Sequence, residues 1–278
     1  MSYKESTTYS MGESDHARLY TPHGKTVVIT GFTQGIGKST ALEFLALGAQ
    51  VLGCARNQAD VDALVDTCSS KGFKSRVHGV ACDVSTESGR LTLMEKARSV
   101  FGSSLDVLIN NVGTNVPADK RQAVHSRDDD FNMIMDVNLK SAYSLSRDLY
   151  PMLLNSGSGC VLFNSSVSGG PTAMKSGCLY NMSKAAMNML VKSLACEWGK
   201  DGIRVVGVAP WYTNTELVQR ELSNKDSVDA IIARTPLRRV AEPEEVARVF
   251  AYLASPGASF ITGTIVPVDG GYLAMGLF

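Results

Sequence analysis

The chain has 278 residues, 44% of them hydrophobic, and its 27 Lys and Arg residues balance 27 Asp and Glu residues. That apolar content is enough for one sizeable core, read as a single α/β domain. Zero net charge excludes a global field for nucleic acid or anionic lipid, and no run approaches the roughly 18 apolar residues of a membrane span.

Residues 1–22 are polar and of mixed charge, with Glu5, Glu13 and Asp15. They read as a flexible tail ahead of a domain at 23–278. They hold no secretory apolar region, and their acids argue against a mitochondrial presequence. Six dispersed cysteines without a CxxC pattern fit a reducing compartment, read as the cytoplasm. Four histidines without ligand spacing predict no catalytic metal site.

Residues 25–30 form a short β-branched run that reads as a buried parallel strand. Gly31, Gly35 and Gly37 follow, then a helical pattern over 38–47. Strand, glycine turn and helix in that order present free backbone N–H groups and a positive dipole end to a pyrophosphate. Residues 50–55 read as the second strand. A residue selecting between dinucleotides is expected at its end, roughly 20 residues past the turn. Arg56 and Asn57 stand there instead of an acid. A guanidinium suits the 2′-phosphate of NADP, whereas a carboxylate would bind the ribose 2′-hydroxyl of NAD. Lys38 adds charge from the glycine turn.

A helix over 60–70 and a third strand over 76–82 come next, and Asp83-Val84 follow at the strand's C-terminal end. Asp83 is read as reaching the adenine amine, with a turn or helix cap as the plainer alternative. After a helix over 86–101, the fourth strand, 106–110, runs into Asn111, Val112 and Gly113. Residues 128–154 carry a long helical pattern with Asn138 on its apolar stripe, so that side chain must be buried and partnered. The fifth strand, 160–164, ends in Ser165-Ser166. The helix over 179–198 carries Tyr180 and Lys184 one turn apart on one face. An ammonium so placed favours the phenolate and makes the tyrosine a proton donor near neutral pH. The sixth strand, 203–209, ends at Pro210, and a last short strand covers 264–269. Residues 211–235 follow a strand end, are polar and weakly periodic, and are read as a substrate lid or an ordinary connecting helix.

Strand C-termini in a parallel sheet open on one edge. The glycine turn, Asp83, Asn110, Ser166 and Pro210 all follow strands there, so a nucleotide along that edge would end beside Tyr180. A hydroxyl donor, a phenol and an ammonium beside a hydride carrier are what carbonyl reduction requires.

These motifs resemble the short-chain dehydrogenase/reductase family. They comprise Thr30-Gly31-x-x-x-Gly35-x-Gly37, Asn110-Asn111-x-Gly113, Asn138, Ser166 and Tyr180-x-x-x-Lys184. Local stretches at 54–57, 70–74, 165–169 and 196–201 are most similar to tropinone reductases and their plant homologues. The resemblance implies one Rossmann-type doubly wound domain with about seven parallel strands in the order 3-2-1-4-5-6-7. It implies a reversible NADP(H)-dependent reduction of a ketone to a secondary alcohol, with Tyr180 as proton donor. Lys184 would lower the Tyr180 pKa and hold the nicotinamide ribose, Ser166 would hydrogen-bond the carbonyl oxygen, and Asn138 would bind a water linking Lys184 to solvent. Cofactor contacts are implied for Gly31, Thr33, Gln34, Gly35, Ile36, Gly37, Arg56, Asn57, Asp83, Val84, Asn110, Val112 and Gly113. They are also implied for Tyr180, Lys184, Pro210, Tyr212, Thr213 and Thr215.

Three departures stand out. Val112 replaces the usual alanine and crowds the cofactor floor. The segment between Ser166 and Tyr180 is one residue longer than in tropinone reductases, which makes Ser165 a rival to Ser166. Trp211-Tyr212 put two aromatics beside the nicotinamide or substrate, which argues against tropinone itself as substrate. Alternatives are a 3-oxoacyl-carrier reductase and a non-catalytic dinucleotide-binding scaffold. The helices over 128–154 and 179–198 resemble those through which the family forms homodimers or homotetramers; no nucleic-acid or membrane partner is expected.

Overall fold

The computed structural model of the protein describes residues 12–275. Its strands are β1 (Thr26–Thr30), β2 (Gln50–Ala55), β3 (Val77–Ala81), β4 (Val107–Asn110), β5 (Cys160–Asn164), β6 (Arg204–Pro210) and β7 (Ile265–Val268). They form one parallel sheet in the order β3-β2-β1-β4-β5-β6-β7, the expected doubly wound topology. The winding direction reverses between β1 and β4, which opens a crevice at their C-terminal ends.

The helices in chain order are α1 (Glu13–Arg18), α2 (Gly35–Ala46), α3 (Gln58–Cys68), α4 (Glu87–Phe101), α5 (Asp128–Met135), α6 (Ser141–Asn155), α7 (Cys178–Trp198), α8 (Gln219–Leu222), α9 (Lys225–Ala233) and α10 (Pro243–Leu253). Successive strand side chains point to opposite faces. Val27, Ile29 and Val51 meet Phe44, Val61, Leu64 and Phe250 of α2, α3 and α10. Val28 and Leu52 meet Leu93, Leu145, Leu149 and Val191 of α4, α6 and α7. Burial on both faces is why the strands read as unbroken apolar runs rather than alternating ones.

Four local readings need correction. The long helix over 128–154 is interrupted by a π turn, Asp136–Lys140, that contains Asn138. Such a turn inserts one residue into the helical repeat and is frequent at functional sites. β6 does not stop at residue 209; Pro210 belongs to it and pairs with Val268. Helix α10 was not anticipated, although Glu242 and Glu245 form a capping box around Pro243 at its first turn. Part of the tail expected to be flexible carries α1, and Leu19 O accepts the Gly257 N–H at 2.6 Å. Residues 1–11 lie outside the described residues, as do 276–278.

The 211–235 segment holds a 3₁₀ turn, Glu216–Val218, then α8 and α9. Ile231 is its buried hydrophobic residue. A segment with so few buried apolar contacts belongs to the low-stability end of a fold.

Candidate active site

The floor of the crevice is the turn between β1 and α2. Gly31 and Gly35 have φ of +68° and +52°, conformations that disfavour L side chains. A Cβ on Gly37 would lie 2.1 Å from the Gly31 carbonyl oxygen, so the helix can approach the strand this closely only with glycine there. Gly37→Ala is therefore expected to cost at least about 1–3 kcal/mol. That lowers Tm by roughly 2–4 °C per kcal/mol in a domain of this size; an unchanged Tm would show that the turn has slack. No side chain caps α2, and its first turn carries no acid. Its positive end and free N–H groups thus face the turn, as an anion site requires. Ile36 packs into the core, so only its backbone can serve a phosphate.

Thr30 and Asn111 fix the next piece. Thr30 Oγ1 accepts the N–H groups of Asn111 and Val112 at 2.9 and 3.1 Å. Asn111 Nδ2 donates to the Thr30 and Gly31 carbonyls at 2.8 and 3.0 Å, and Asn164 Nδ2 donates to Asn111 Oδ1 at 2.8 Å. Val112 Cγ2 lies 3.1 Å from where a Gly31 Cβ would be, so its bulk is turned onto the glycine turn. Asn110 sends Nδ2 to Ser146 Oγ at 3.0 Å, into the helix layer. Asn110 Oδ1 and Asn164 Oδ1 are buried acceptors without a partner among the described residues. Unpaired buried acceptors on this edge, together with the uncapped helix end, fit a dinucleotide rich in hydroxyl donors and phosphate.

The structure brings Asn138, Ser166, Tyr180 and Lys184 together beyond that floor. Ser166 Oγ accepts the Ser168 N–H at 3.1 Å and stands close enough to the Tyr180 phenol to favour its ionised form. Ser165 points elsewhere and donates to Asn188 Oδ1 on α7. Lys184 is 2% exposed. Its Nζ donates to the Asn164 carbonyl at 2.7 Å and lies 5.5 Å from the centre of the Tyr180 ring. Asn138 is fully buried. Its side chain clamps the Thr114 peptide from both ends, accepting the N–H at 2.8 Å and donating to the carbonyl at 2.9 Å. Nδ2 also reaches Ser183 Oγ at 3.1 Å. The side chain thus ties the loop after β4 to α7.

Burial pushes the Tyr180 phenol up to about 12, with nearby Ser166 acting in the opposite direction. Burial also draws the Lys184 ammonium down to about 8. Desolvation is the largest influence on both groups, and the Lys184 amine is held by the Asn164 carbonyl. Tyr180 keeps part of its surface in solvent, so burial acts more completely on Lys184.

The remaining predicted positions divide by what their side chains already do. Arg56 is exposed at the end of β2, with no acid beside it in sequence. Asn57 caps α3 by accepting the Ala59 N–H at 2.9 Å. Asp83 Oδ1 accepts from the Ser85 N–H and hydroxyl at 2.9 and 2.7 Å, the turn role named as its alternative. Val84 is a core side chain. Thr33 and Gln34 sit in the turn ahead of α2, and Gly113 approaches Lys184 Nζ, 3.4 Å from a Cβ built there. Thr215 comes down on the glycine turn, with Cγ2 3.2 Å from a Gly35 Cβ. Thr213 is buried and donates to the Trp211 carbonyl at 3.1 Å.

Trp211 follows Pro210 at the end of β6. It stacks on Tyr272 at 3.8 Å and donates Nε1 to Thr235 Oγ1 at 3.1 Å, so it braces the C-terminal segment. Sequence reading also passed over Asn164 and Asn188. Asn188 accepts from Ser165 and donates to the Gly169 carbonyl at 2.9 Å, which pins the serine turn to α7. A polar residue ending a buried strand, and an amide at i+4 from Lys184 on the same helix face, were the available signals.

Comparisons with known proteins agree with this geometry. A family model described as enoyl-(acyl carrier protein) reductase matches residues 31–273. A tropinone reductase homolog from Arabidopsis thaliana is 43% identical over 253 residues, covering 91% of this chain and 94% of the relative. A 7α-hydroxysteroid dehydrogenase complexed with NADH and 7-oxo glycochenodeoxycholic acid superimposes with a TM-score of 0.85 and 30% identity, covering 94% and 98% of the two chains. A gluconate 5-dehydrogenase from Burkholderia cenocepacia in complex with NADP and tartrate gives 0.85 and 26%, covering 93% and 99%. The fold is theirs, and a nicotinamide dinucleotide is the cofactor class of these neighbours. The chain belongs to the short-chain dehydrogenase/reductase family of oxidoreductases.

Proposed function

We propose that this protein is an NADP(H)-dependent reductase that interconverts a ketone and a secondary alcohol. The observation that carries the proposal is Lys184, buried behind Tyr180 with its Nζ 5.5 Å from the phenol ring and 2.7 Å from the Asn164 carbonyl, with Ser166 beside the phenol. A nicotinamide dinucleotide bound along the strand ends supplies the hydride to the carbonyl carbon. Tyr180 gives its proton to the carbonyl oxygen, and Ser166 donates a hydrogen bond to that oxygen as negative charge develops. The Ser168 N–H occupies an acceptor site of Ser166 Oγ, which leaves the Ser166 hydroxyl hydrogen to donate. Lys184 returns a proton toward Tyr180, and Asn138 on the π turn fastens the loop after β4 to α7 beside that pair. In oxidation the same groups run in reverse.

NADP is favoured over NAD by Arg56, exposed where an acid would otherwise hold the ribose, and by Lys38 in the first turn of α2. Hydrogen bonds to charged groups are worth about 1.5–3 kcal/mol. Arg56→Asp should therefore shift the kcat/KM ratio toward NADH by roughly ten- to a hundredfold. Steady-state kinetics with both cofactors checks this, and an unchanged ratio removes Arg56 from the site.

A carrier-bound acyl substrate is the rival raised by the family description. It needs free basic residues at the mouth, yet Arg239 is held by Glu245 at 2.6 and 2.7 Å and Arg238 donates to the Ala233 carbonyl. A small-molecule ketone fits better. The reading also includes a homodimer or homotetramer, supported by exposed Phe131, Met133 and Tyr143 on α5 and α6 and by Met182 and Met189 on α7. Six free cysteines support a reducing compartment such as the cytoplasm, and no described helix is long and apolar enough to cross a membrane.

NADPH oxidation across a panel of cyclic and bicyclic ketones tests the function. Turnover of at least one, abolished by Tyr180→Phe, is the expected result; no turnover of any would sink it.

A further inference from the structure

A charged pair at the mouth of the cleft takes no part in the proton route or in the glycine turn. Arg121 follows the 3₁₀ turn Ala118–Lys120 in the connection from β4 to α5. Its NH1 lies 2.7 Å from Glu221 Oε1 on α8, with the two side chains 23% and 18% exposed. The pair joins the loop beyond the Asn110–Gly113 floor to the segment over the cleft.

Its position relative to the reacting groups follows from three contacts. Arg121 packs on Gly177, where a Cβ would lie 2.7 Å from the Arg121 carbonyl and 2.9 Å from its Cβ. Gly177 is three residues ahead of Tyr180. The same loop is fastened there by Asn115, whose Nδ2 donates to the Ser176 carbonyl at 2.8 Å. Tyr212, at the end of β6, lies in the field of both charges: burial and then the Glu221 carboxylate raise its phenol pKa, while Arg121 pulls it down. The guanidinium also retains capacity. Arg121 Nε is buried without an acceptor among the described residues, and a planar guanidinium can take a carboxylate through two N–H groups at once. Nearby Lys120 is separately paired with Asp130 at 3.0 Å, which leaves Arg121 as the cation that Glu221 answers.

We infer that Arg121 and Glu221 set the charge selectivity of the substrate site: paired, they favour uncharged ketones, and separated, each admits a ligand of opposite charge. The inference rests on the reductase reading, because it names the substrate class of the same cleft. In the wild type, a carboxylate drawn to the remaining N–H groups of Arg121 meets the Glu221 carboxylate already held on the same guanidinium at 2.7 Å, and like charges repel. An ammonium meets the mirror-image difficulty. A neutral ketone disturbs neither charge, and truncating one partner of a partly buried pair leaves the other seeking a counter-ion.

The test compares the full-length wild type with Glu221→Gln, Arg121→Gln and the double variant. Binding of cyclohexanone, cyclohexanecarboxylate and cyclohexylmethylammonium is measured by calorimetric or ligand-observed NMR titration, without turnover. E221Q should tighten the carboxylate tenfold or more relative to cyclohexanone. R121Q should do the same for the ammonium, and the double variant should do neither. Ratios that stay within threefold of wild type in E221Q and R121Q overturn the inference. Should R121Q not fold, E221Q against wild type decides alone, because Glu221 lies on a short helix with little buried apolar surface. NADPH oxidation with cyclic ketones is scored separately, so loss of the reductase reading shows as absent turnover while the binding ratios still report on the pair.

Discussion

Tyr180→Phe is expected to lower kcat by about 10³-fold, within the range of about 10²–10⁴ typical of a positioned proton donor, while the Kd for NADPH stays within about twofold. The variant keeps the ring and removes one hydroxyl. That hydroxyl stands beside Ser166, whose oxygen remains held by the Ser168 N–H. Stability should therefore change by no more than about 1 kcal/mol, the net worth of a typical hydrogen bond. Ser166→Ala should be slower than wild type but faster than Tyr180→Phe, because Ser166 stabilises charge without supplying the proton. Single-turnover NADPH oxidation with fluorescence titration of the cofactor separates the two effects. If Tyr180→Phe kept a tenth of wild-type kcat, the proton would have to come from another group.

The strands were legible because burial on both faces leaves unbroken β-branched runs, whereas their order came from the family resemblance. The glycine turn was legible because steric closeness at Gly37 permits one residue type. The positions of Ser166, Tyr180 and Lys184 followed from strand ends sharing one edge. The choice between Ser165 and Ser166 did not follow, since it depends on which hydroxyl Asn188 captures. The stack of Trp211 was hidden for a similar reason: its partner, Tyr272, is 61 residues away in the chain, and a stack leaves no periodic signal. The π turn around Asn138 was hidden because an extra residue in a long helix only blurs the 3.6-residue pattern. Helix α10 was visible in its capping box and simply not read. The ion pair of Arg121 and Glu221 spans a hundred positions, and charges that far apart carry no mutual mark in the sequence.

Lys184→Met should abolish turnover and yet leave the protein at least as stable as wild type near pH 7. The amine titrates at about 8 in the folded protein against 10.5 as its ordinary value. Between those values the unfolded chain keeps a proton that the folded chain has released, so stability rises with pH across that window. Below pH 8 both states are charged, and the folded state bears a desolvation cost of roughly 3 kcal/mol at about 1.4 kcal/mol per pH unit. Met fills similar volume without that cost, but it leaves the Asn164 carbonyl without its donor, a loss of about 1–3 kcal/mol. At pH 7 the variant should thus exceed wild type by about 0–2 kcal/mol. As pH rises to 10, wild type regains about 2.5 kcal/mol and the order should reverse. Tyr180 does not confuse the comparison, because its pKa moves from 10 up to about 12 and its effect, a loss of stability with rising pH, begins only above 10. Urea unfolding of both proteins at pH 7 and pH 10 measures the difference directly. A gap that is the same at the two pH values would mean that Lys184 carries its charge into the fold without penalty. A gap that closes and reverses would show a buried amine kept at the expense of stability, beside the phenol whose proton it renews.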